Sequence, residues 1–574
     1  MDKHQIANVL AEMAALLDLK GENPFKVRAY ENAARVLDGL SQDLDHLIAR
    51  KQLTDIKGIG ANLATHITEL HAHGTFDEYV QLRRSIPEGV VAMLAIPGLG
   101  AKKVGTLWKK LKITTIDELE KMCRAGKIAK LEGFGEKSQE KILKGIESVR
   151  RFSGRHLVSE AHVAAAALLD AVKKCKAVLR AEVGGSVRRY VETVGDIDIL
   201  VATKNPEAVM DYFVTLPDVT QVVAKGATKS SVVLSSGINA DLRAVTEREF
   251  PFTLHYFTGS KAHNVAMRSL AKQHDMKLNE YGLFKGKDEK RIPCKDEAAI
   301  FAVFGLDFIP PELREDMGEM EAAAKKSLPR LVEQGDLKGV LHAHTTYSDG
   351  RASLEEMAFA AKKRGFAYLG ISDHSKSAAY AGGLSVEQIH QQHREIDQLN
   401  KKLTGIRLLK GIECDILADG SLDYSDDILE TFDFVIASIH SKFTMTESEM
   451  TKRICAAISN PHVDILAHPT GRLLLTRDPY PVDMLKVIQC AAKQGVAIEI
   501  NSHPQRLDLD WRWGQQMMAL GVKTLISPDA HSTDGLDVVR FGIGIARKGW
   551  FEKEDVLNCF GVDNLLMHFQ RHEK

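Results

Sequence analysis

Apolar residues in the first third of the chain recur at helical spacing, as in Ile6, Ala7, Val9, Leu10, Met13, Leu16 and Leu17, and again in Tyr30, Ala33, Ala34, Val36 and Leu37. Three glycine hinges punctuate this pattern: Gly58-Ile59-Gly60, Gly98-Leu99-Gly100 and Gly133-Phe134-Gly135. Each has an apolar residue two places before its first glycine and a helical run after its second. From about Ala181 the pattern changes to short β-branched strands, Ile197–Val201, Ser231–Leu234 and Asn239–Arg243, within a helix–strand mixture that runs to about Leu313. Residues 315–334 are charged and alanine-rich, and read as a linker holding a helix. After Gly339, apolar runs at 366–371, 434–437, 463–466, 496–500 and 524–526 alternate with helical segments. Alternation of this kind predicts a parallel sheet or barrel with its chemistry at the C-terminal strand ends.

Composition narrows the picture. A chain of 574 residues exceeds one domain, and 44% hydrophobic with 27% charged residues is ordinary globular usage. No apolar run is long enough for a membrane span and the start lacks a secretory pattern, so the cytoplasm is expected. The 7 cysteines include no CxxC pair, which argues against a disulfide framework or a zinc finger and for buried thiols. Net charge is only −1, but Lys102, Lys103, Lys109, Lys110, Lys112, Lys121, Lys127, Lys130, Lys137, Lys141 and Lys144 crowd one stretch. A Gly-x-Gly turn at a helix start exposes backbone N–H groups that suit phosphate. One such hinge reads as a plain helix–helix turn; three beside a lysine-rich stretch point to DNA backbone.

Two groups of residues carry candidate chemistry. Asp196 and Asp198 alternate onto one face of a strand, and Asp241 in a second strand supplies a third carboxylate. An all-oxygen site suits magnesium, and two such ions serve phosphoryl transfer. A lone DxD would carry little weight. His342 and His344 likewise share a strand face, and Asp349, His374, Glu413, His440, His468, Asp529 and His531 follow, most of them just after apolar strands. His71-Ala72-His73 has the same spacing but falls at a predicted helix end, where residues two apart diverge, and is set aside.

Larger motifs give these residues a context. Gly185-Ser186-Val187-Arg188-Arg189 ahead of Gly195-Asp196-Ile197-Asp198, then Lys225-Gly226-Ala227-Thr228-Lys229, then Tyr256-Phe257-Thr258-Gly259-Ser260 with Asn264 and Arg268, closely resemble DNA polymerase beta and its family X relatives across 1–313. The resemblance implies that Asp196 and Asp198 bind both metals, magnesium or manganese, with Asp241 on the catalytic one. It implies that Ser186, Arg189 and Arg155 hold the triphosphate. Tyr256 and Phe257, on the turn ending at Gly259, would gate the sugar, and Asn264 and Arg268 would sense the nascent pair. DNA would be met by Lys225, Lys229, the hinge glycines Gly58, Gly60, Gly98, Gly100, Gly133 and Gly135, and by Lys26 and Tyr30 at a 5′-phosphate. One position departs: His66 stands where lyase-active relatives carry a Schiff-base lysine, and imidazole cannot form that imine.

The histidine motifs resemble the PHP metallo-phosphoesterases across 339–560. That resemblance implies a distorted (αβ)7-type barrel with up to three zinc or manganese ions on the nine residues from His342 to His531, Glu413 bridging. Asp373 is expected to orient a ligand, and Arg472 to clamp a phosphate or to lie on the surface. The fold expected is multidomain, α+β then α/β. Its helical helix-hairpin-helix domains would span 1–84 and 85–150, a nucleotidyltransferase palm 151–250 and a nucleotide-selection part 251–314. A linker at 315–338 and a PHP domain at 339–574 complete it. The function implied is filling of short gaps in DNA repair, with deoxynucleoside triphosphates and gapped or primed DNA as partners. The PHP site would trim 3′ ends as an exonuclease, with abasic-site cutting a further expectation. A monomer without membrane attachment is the default. The rivals are a small-molecule phosphatase fused to the polymerase, and a DNA-end-binding scaffold.

Overall fold

A computed structural model of the chain describes residues 1, 3–38, 40, 44–286 and 290–569; the end of the expected PHP domain, 570–574, lies outside them. The chain divides into two compact units, Met1–Ser153 and Gly154–Lys574. Among the described residues, no helix is long and apolar enough to cross a membrane.

The first unit is helical. The helix Lys3–Lys20 lays Ile6, Leu10, Met13 and Leu17 against Tyr30, Ala33 and Leu37 of Pro24–Asp38, the apolar stripe that the period had predicted. The three hinges share one construction. Gly58, Gly98 and Gly133 stand at φ 99°, 81° and 81°, a conformation that costs a side chain energy. Gly60, Gly100 and Gly135 then cap the helices Ala61–His73, Ala101–Leu111 and Glu136–Phe152.

The second unit begins with a five-stranded sheet in the order Val178–Val183, Asp196–Thr203, Asn239–Val245, Lys229–Leu234, Val219–Lys225. Its central pair is parallel, and the register sets Asp198 directly beside Asp241. Ile197, Ile199 and Val201 face the opposite side, against Leu168 and Val172 of Val158–Lys173 and Val209 and Phe213 of Pro206–Val214. Alternation along one strand thus separates core from chemistry. The helices Phe250–Thr258 and Lys261–Gln273 and a small antiparallel sheet follow.

The segment read as a linker is packed instead. Glu319 is buried, accepting from His263 Nδ1 at 2.7 Å and from the Asp316 and Met317 N–H groups at 2.9 and 2.7 Å. Glu315 and Glu319 act as counter-ions while Glu321, Lys325 and Lys326 stay exposed, so the absence of an apolar period misled only in part. Beyond it, seven parallel strands follow in chain order from Gly339–Val340 to Thr524–Ser527. A bridge between Ala343 and Ala530 nearly closes them into a barrel. Leu341, Tyr368, Phe434, Ile465 and Leu525 form a core that Leu565 and Phe569 of the last helix, Val562–Phe569, complete. The cysteine expectation is corrected here: Cys455 and Cys490, on neighbouring helices with Cα atoms 5.8 Å apart, form a disulfide. Their 35-residue separation hides the pair from any spacing rule.

Candidate active sites

The carboxylate site is assembled by backbone contacts. Gly184 N–H donates to Asp198 O at 2.8 Å, and the short helix Gly185–Arg188 starts against that strand. Gly185 has φ 64°, and a Cβ there would run into the Asp198 carboxylate. Lys229 Nζ lies 2.6 Å from Asp241 Oδ2. Burial, then the charges of Asp196 and Asp241, push Asp198 up to about 7. Burial and Asp241 raise Asp196 as well. Lys229, Arg243 and Arg155 offset these carboxylates only in part, a shortage of positive charge that a bound divalent cation would relieve.

Around this site the expected nucleotide contacts take definite places. Ser186 lies on the helix beside Asp198. Arg189 Nε donates to Glu315 at 2.9 Å and its Nη1 to Thr258 O at 2.8 Å. Arg155 donates to Thr193 Oγ1 at 2.9 Å and to the Thr193 carbonyl. Tyr256 and Phe257 meet edge to face at 5.3 Å, with the Arg243 guanidinium 4.8 Å over Phe257. Asn264 Nδ2 donates to the carbonyls of Tyr256 and Gly259 at 2.7 and 3.1 Å, fixing the end of the helix Phe250–Thr258, so both rings sit on a helix and not on the expected turn. Arg268 Nε in turn donates to Asn264 O at 3.2 Å. Lys225, expected on DNA, is paired with Asp211.

In the first unit, Lys26 Nζ lies 2.5 Å from Glu78 Oε1, and Tyr30 Oη is 2.9 Å from His66 Nδ1. His66 stacks on Phe76 at 4.2 Å, so its ring is held as a partner of Tyr30. No Cβ at Gly60, Gly98, Gly100, Gly133 or Gly135 would meet an atom within 4 Å, so these hinge faces are open.

The histidine centre lies at the strand ends, with His440 and His531 half-buried, Asp349 exposed and its other members buried. Glu413 Oε1 lies 3.0 Å from His468 Nε2, 3.3 Å from His440 Nε2 and 3.5 Å from His342 Nε2. Its Oε2 is 2.8 Å from His374 Nδ1. Asp529 Oδ1 lies 3.2 and 3.4 Å from His344 Nε2 and His342 Nε2. Asp349 Oδ1 is 3.3 and 3.6 Å from His531 Nε2 and His374 Nε2. All nine residues read from the sequence fall into four overlapping groups with ligand atoms within 4.8 Å. His342 Nε2, His374 Nδ1, His468 Nδ1 and Glu413 Oε2 are buried without hydrogen-bond partners. His468 Nε2 and His344 Nε2 align with Glu413 and Asp529 as hydrogen bonds, but the unpartnered atoms among them fit ligation of shared cations, and the imidazole and carboxylate set suits zinc or manganese. Backbone strain gathers here too, with His342, His468 and Asp529 at φ 67°, 25° and 52°.

Several supporting residues escaped the sequence reading. Glu499 Oε1 takes His342 Nδ1 at 2.6 Å, while its Oε2 accepts from His468 N–H at 2.8 Å. Asp415 Oδ1 is 2.5 Å from His440 Nδ1, and Asn501 Nδ2 donates to Asp529 Oδ2 at 3.0 Å. A lone carboxylate inside the apolar strand Ala497–Asn501 was the available signal for Glu499. Asp373 does not touch a histidine. It accepts from Thr345 N–H at 2.7 Å and Ser348 Oγ at 2.5 Å, ordering the loop that leads to Asp349. Arg472 meets no solvent-facing groove: it is buried, donating to Arg506 O at 2.9 Å and Asp510 at 3.1 Å. Facing the centre from outside, Tyr380 is 72% exposed with its ring 6.3 Å from His374. Arg506 Nε lies 3.5 Å from Asp529 Oδ2.

Five family models match between residues 1 and 503. Residues 1–76 match a helix-hairpin-helix domain and 90–148 a SAM-like helix-hairpin-helix tandem. Residues 158–242 match the DNA polymerase beta palm, 253–315 its thumb and 341–503 the PHP domain. The chain is 40% identical over 575 residues to the DNA polymerase/3′-5′ exonuclease PolX of Bacillus subtilis (strain 168), covering all of both chains. A probable phosphatase of Thermoanaerobacter sp. (strain X514) is 31% identical over 243 residues, 39% of this chain and 91% of that protein. A probable phosphatase of Acetivibrio thermocellus is 33% identical over 179 residues, 29% of this chain and 67% of that one. With a polymerase beta palm and thumb, paired helix-hairpin-helix domains and a full-length relative, the chain belongs to the family X DNA polymerases that carry a C-terminal PHP domain.

Proposed function

We infer that this chain is a DNA polymerase with a 3′-5′ exonuclease, filling short gaps during DNA repair. The observation that carries the reading is the parallel register placing Asp198 beside Asp241 in a polymerase beta palm, in one chain with a complete nine-residue PHP centre. Bound magnesium or manganese at the palm supplies electrophilic stabilisation of the transferring phosphate. Asp196, Asp198 and Asp241 hold it, Asp241 nearest the primer 3′-hydroxyl. Ser186 and Arg189 hold the triphosphate, with Arg155 behind them. Tyr256 and Phe257, at the helix end that Asn264 fixes, press against the incoming sugar, and Arg268 faces the minor groove. Lys229 and Lys225 follow the DNA backbone, as do the open hinge glycines. Lys26 and Tyr30 take a 5′-phosphate, with Lys26 released from Glu78. His66 supplies no amine, so no Schiff-base lyase operates there.

At the PHP centre, His342, His344, Asp349, His374, Glu413, His440, His468, Asp529 and His531 hold up to three zinc or manganese ions, which when bound activate water and neutralise the phosphodiester. Glu499 and Asp415 fix the tautomers of His342 and His440. Tyr380 offers a base-sized apolar face at the rim and Arg506 a phosphate partner. The protein works as a monomer in the cytoplasm. The match to probable phosphatases keeps a small-molecule phosphatase as the second reading of the PHP domain.

The test uses a 5′-labelled primer within a gap, manganese, no nucleotides and the Asp198→Ala protein. Shortening of the primer that is abolished by a further His344→Ala assigns the nuclease to the PHP centre. A primer that stays whole, with hydrolysis of a chromogenic phosphate ester instead, selects the phosphatase reading.

A further inference from the structure

The turn that joins the helix Gly185–Arg188 to the strand Asp196–Thr203 is gripped from outside by the PHP barrel. Tyr190 stands at φ 56°, and its ring fills the space a Cβ would need at Gly544, in the barrel helix Val539–Lys548. One helical turn on, Lys548 is buried to 1% exposure. Its ammonium donates to Arg189 O at 3.2 Å and Glu312 O at 3.4 Å, and pairs with Glu315 Oε1. The same Glu315 oxygen accepts from Arg189 Nε. Glu192, further along the turn, is buried, accepts from Trp511 Nε1 at 3.3 Å and lies 3.6 Å from Arg472. Burial alone would raise Glu315, but Lys548 and Arg189 beside it bring its carboxyl below the ordinary value.

One carboxylate oxygen here serves two cations, so each weakens its hold on the other. While Lys548 shares Glu315, the carboxylate aims the Arg189 guanidinium without neutralising it. The bonds to Glu315 and Thr258 use Nε and Nη1 and leave Nη2 outside them. Without Lys548, the larger of the two charges that hold Glu315 down, more of its charge would fall on Arg189, in competition with a triphosphate. A buried lysine adds little to stability over an apolar residue of its size, so a packing role alone accounts poorly for it.

We propose that Lys548 is a positioning residue for nucleotide addition: by sharing Glu315 it keeps Arg189 aimed and available, so the PHP domain serves the polymerase site as well as its own. The inference rests on Arg189 as a triphosphate ligand. Single-nucleotide insertion by the full-length chain on gapped DNA tests it, with the exonuclease measured on the same preparations. Lys548→Met is expected to raise KM for the nucleotide about tenfold, the usual scale of coupling between sites, with kcat within about twofold and the exonuclease unchanged. The pair Lys548→Met/Glu315→Gln, lacking the unshared carboxylate, brings KM back towards the original value. An unchanged KM in Lys548→Met, alongside a raised KM in Arg189→Ala, overturns the relay and leaves the ligand assignment standing. An unchanged KM in Arg189→Ala overturns both. A parallel fall of kcat and exonuclease in both Lys548 variants marks a merely structural residue and also overturns the relay.

Discussion

At the residue scale, two buried carboxylates of the PHP barrel illustrate opposite uses of burial. Glu499 is fully buried and spends both oxygens on two candidate ligands, His342 Nδ1 and the His468 N–H. Because it fixes which imidazole nitrogen faces the centre, Glu499→Gln is expected to lower exonuclease activity or metal affinity about 10–100-fold. Nucleotide insertion by the same protein should be unchanged; equal loss of both activities would mean that Glu499 supports the fold only. Asp464 is buried with one backbone donor, Val435 N–H at 2.8 Å, and burial holds its carboxyl well above the ordinary carboxylate value. The folded state therefore binds a proton that the unfolded state releases near pH 4. Its contribution to stability is fully present below that pH and is lost as pH rises towards the raised folded value. Asp464→Asn keeps an acceptor for Val435 without the charge. It should add about 1 kcal/mol at pH 7.5 and nothing near pH 4, read from urea midpoints at the two pH values. A uniform loss at both would show the carboxylate is better accommodated than its surroundings imply.

At the element scale, alternation and hinge chemistry were legible, and packing of charges was not. The DxD strand, the histidines at apolar strand ends and the three Gly-x-Gly turns all carry local patterns that one sequence displays. What was hidden depends on contacts remote in sequence. Glu319 reads as linker charge until His263, 56 residues away, covers it. Arg472 reads as a phosphate clamp or a surface cation until Asp510 and Glu192 enclose it. The strand Arg407–Asp415 was recognised only through its motif at Glu413, though Asp415 two places on shares its face and meets His440. The hinges give a prediction of their own. Gly100 caps its helix at φ −71° and ψ 165°, a conformation any residue adopts, and a Cβ there meets nothing. Gly100→Val should fold normally yet place a branched side chain where the proposed phosphate contact meets the helix N-terminus. Fluorescence anisotropy on gapped DNA should show about fivefold weaker binding, equal across sequences because phosphate contacts carry no base information. Unchanged affinity would remove this hinge from the DNA-binding surface.

At the scale of the whole molecule, the two chemistries of the second unit meet across a charged joint rather than a tether. Glu192, Glu312 and Glu315 come from the polymerase side, and Arg472, Arg512, Arg547 and Lys548 from the barrel side. The complementarity is enclosed: Glu192, Glu312, Arg472 and Lys548 are all buried. Enclosed pairs of this kind gain little over apolar packing when intact, but leave an uncompensated charge when one partner is removed. Separation of the barrel from the palm would expose every one of them, so residues 154–574 should unfold as one cooperative unit. Arg547 Nε and Glu312 Oε1, 2.7 Å apart, allow this to be measured. Glu312→Gln and Arg547→Met should each destabilise the protein, and the double variant should lose less than the sum, giving a coupling energy of about 1–2 kcal/mol. If the joint is cooperative, each single variant lowers the urea midpoint of polymerase and exonuclease inactivation together. Loss of one activity at unchanged midpoint of the other would mean that palm and barrel unfold separately, and that sequence proximity alone keeps the two sites in one protein.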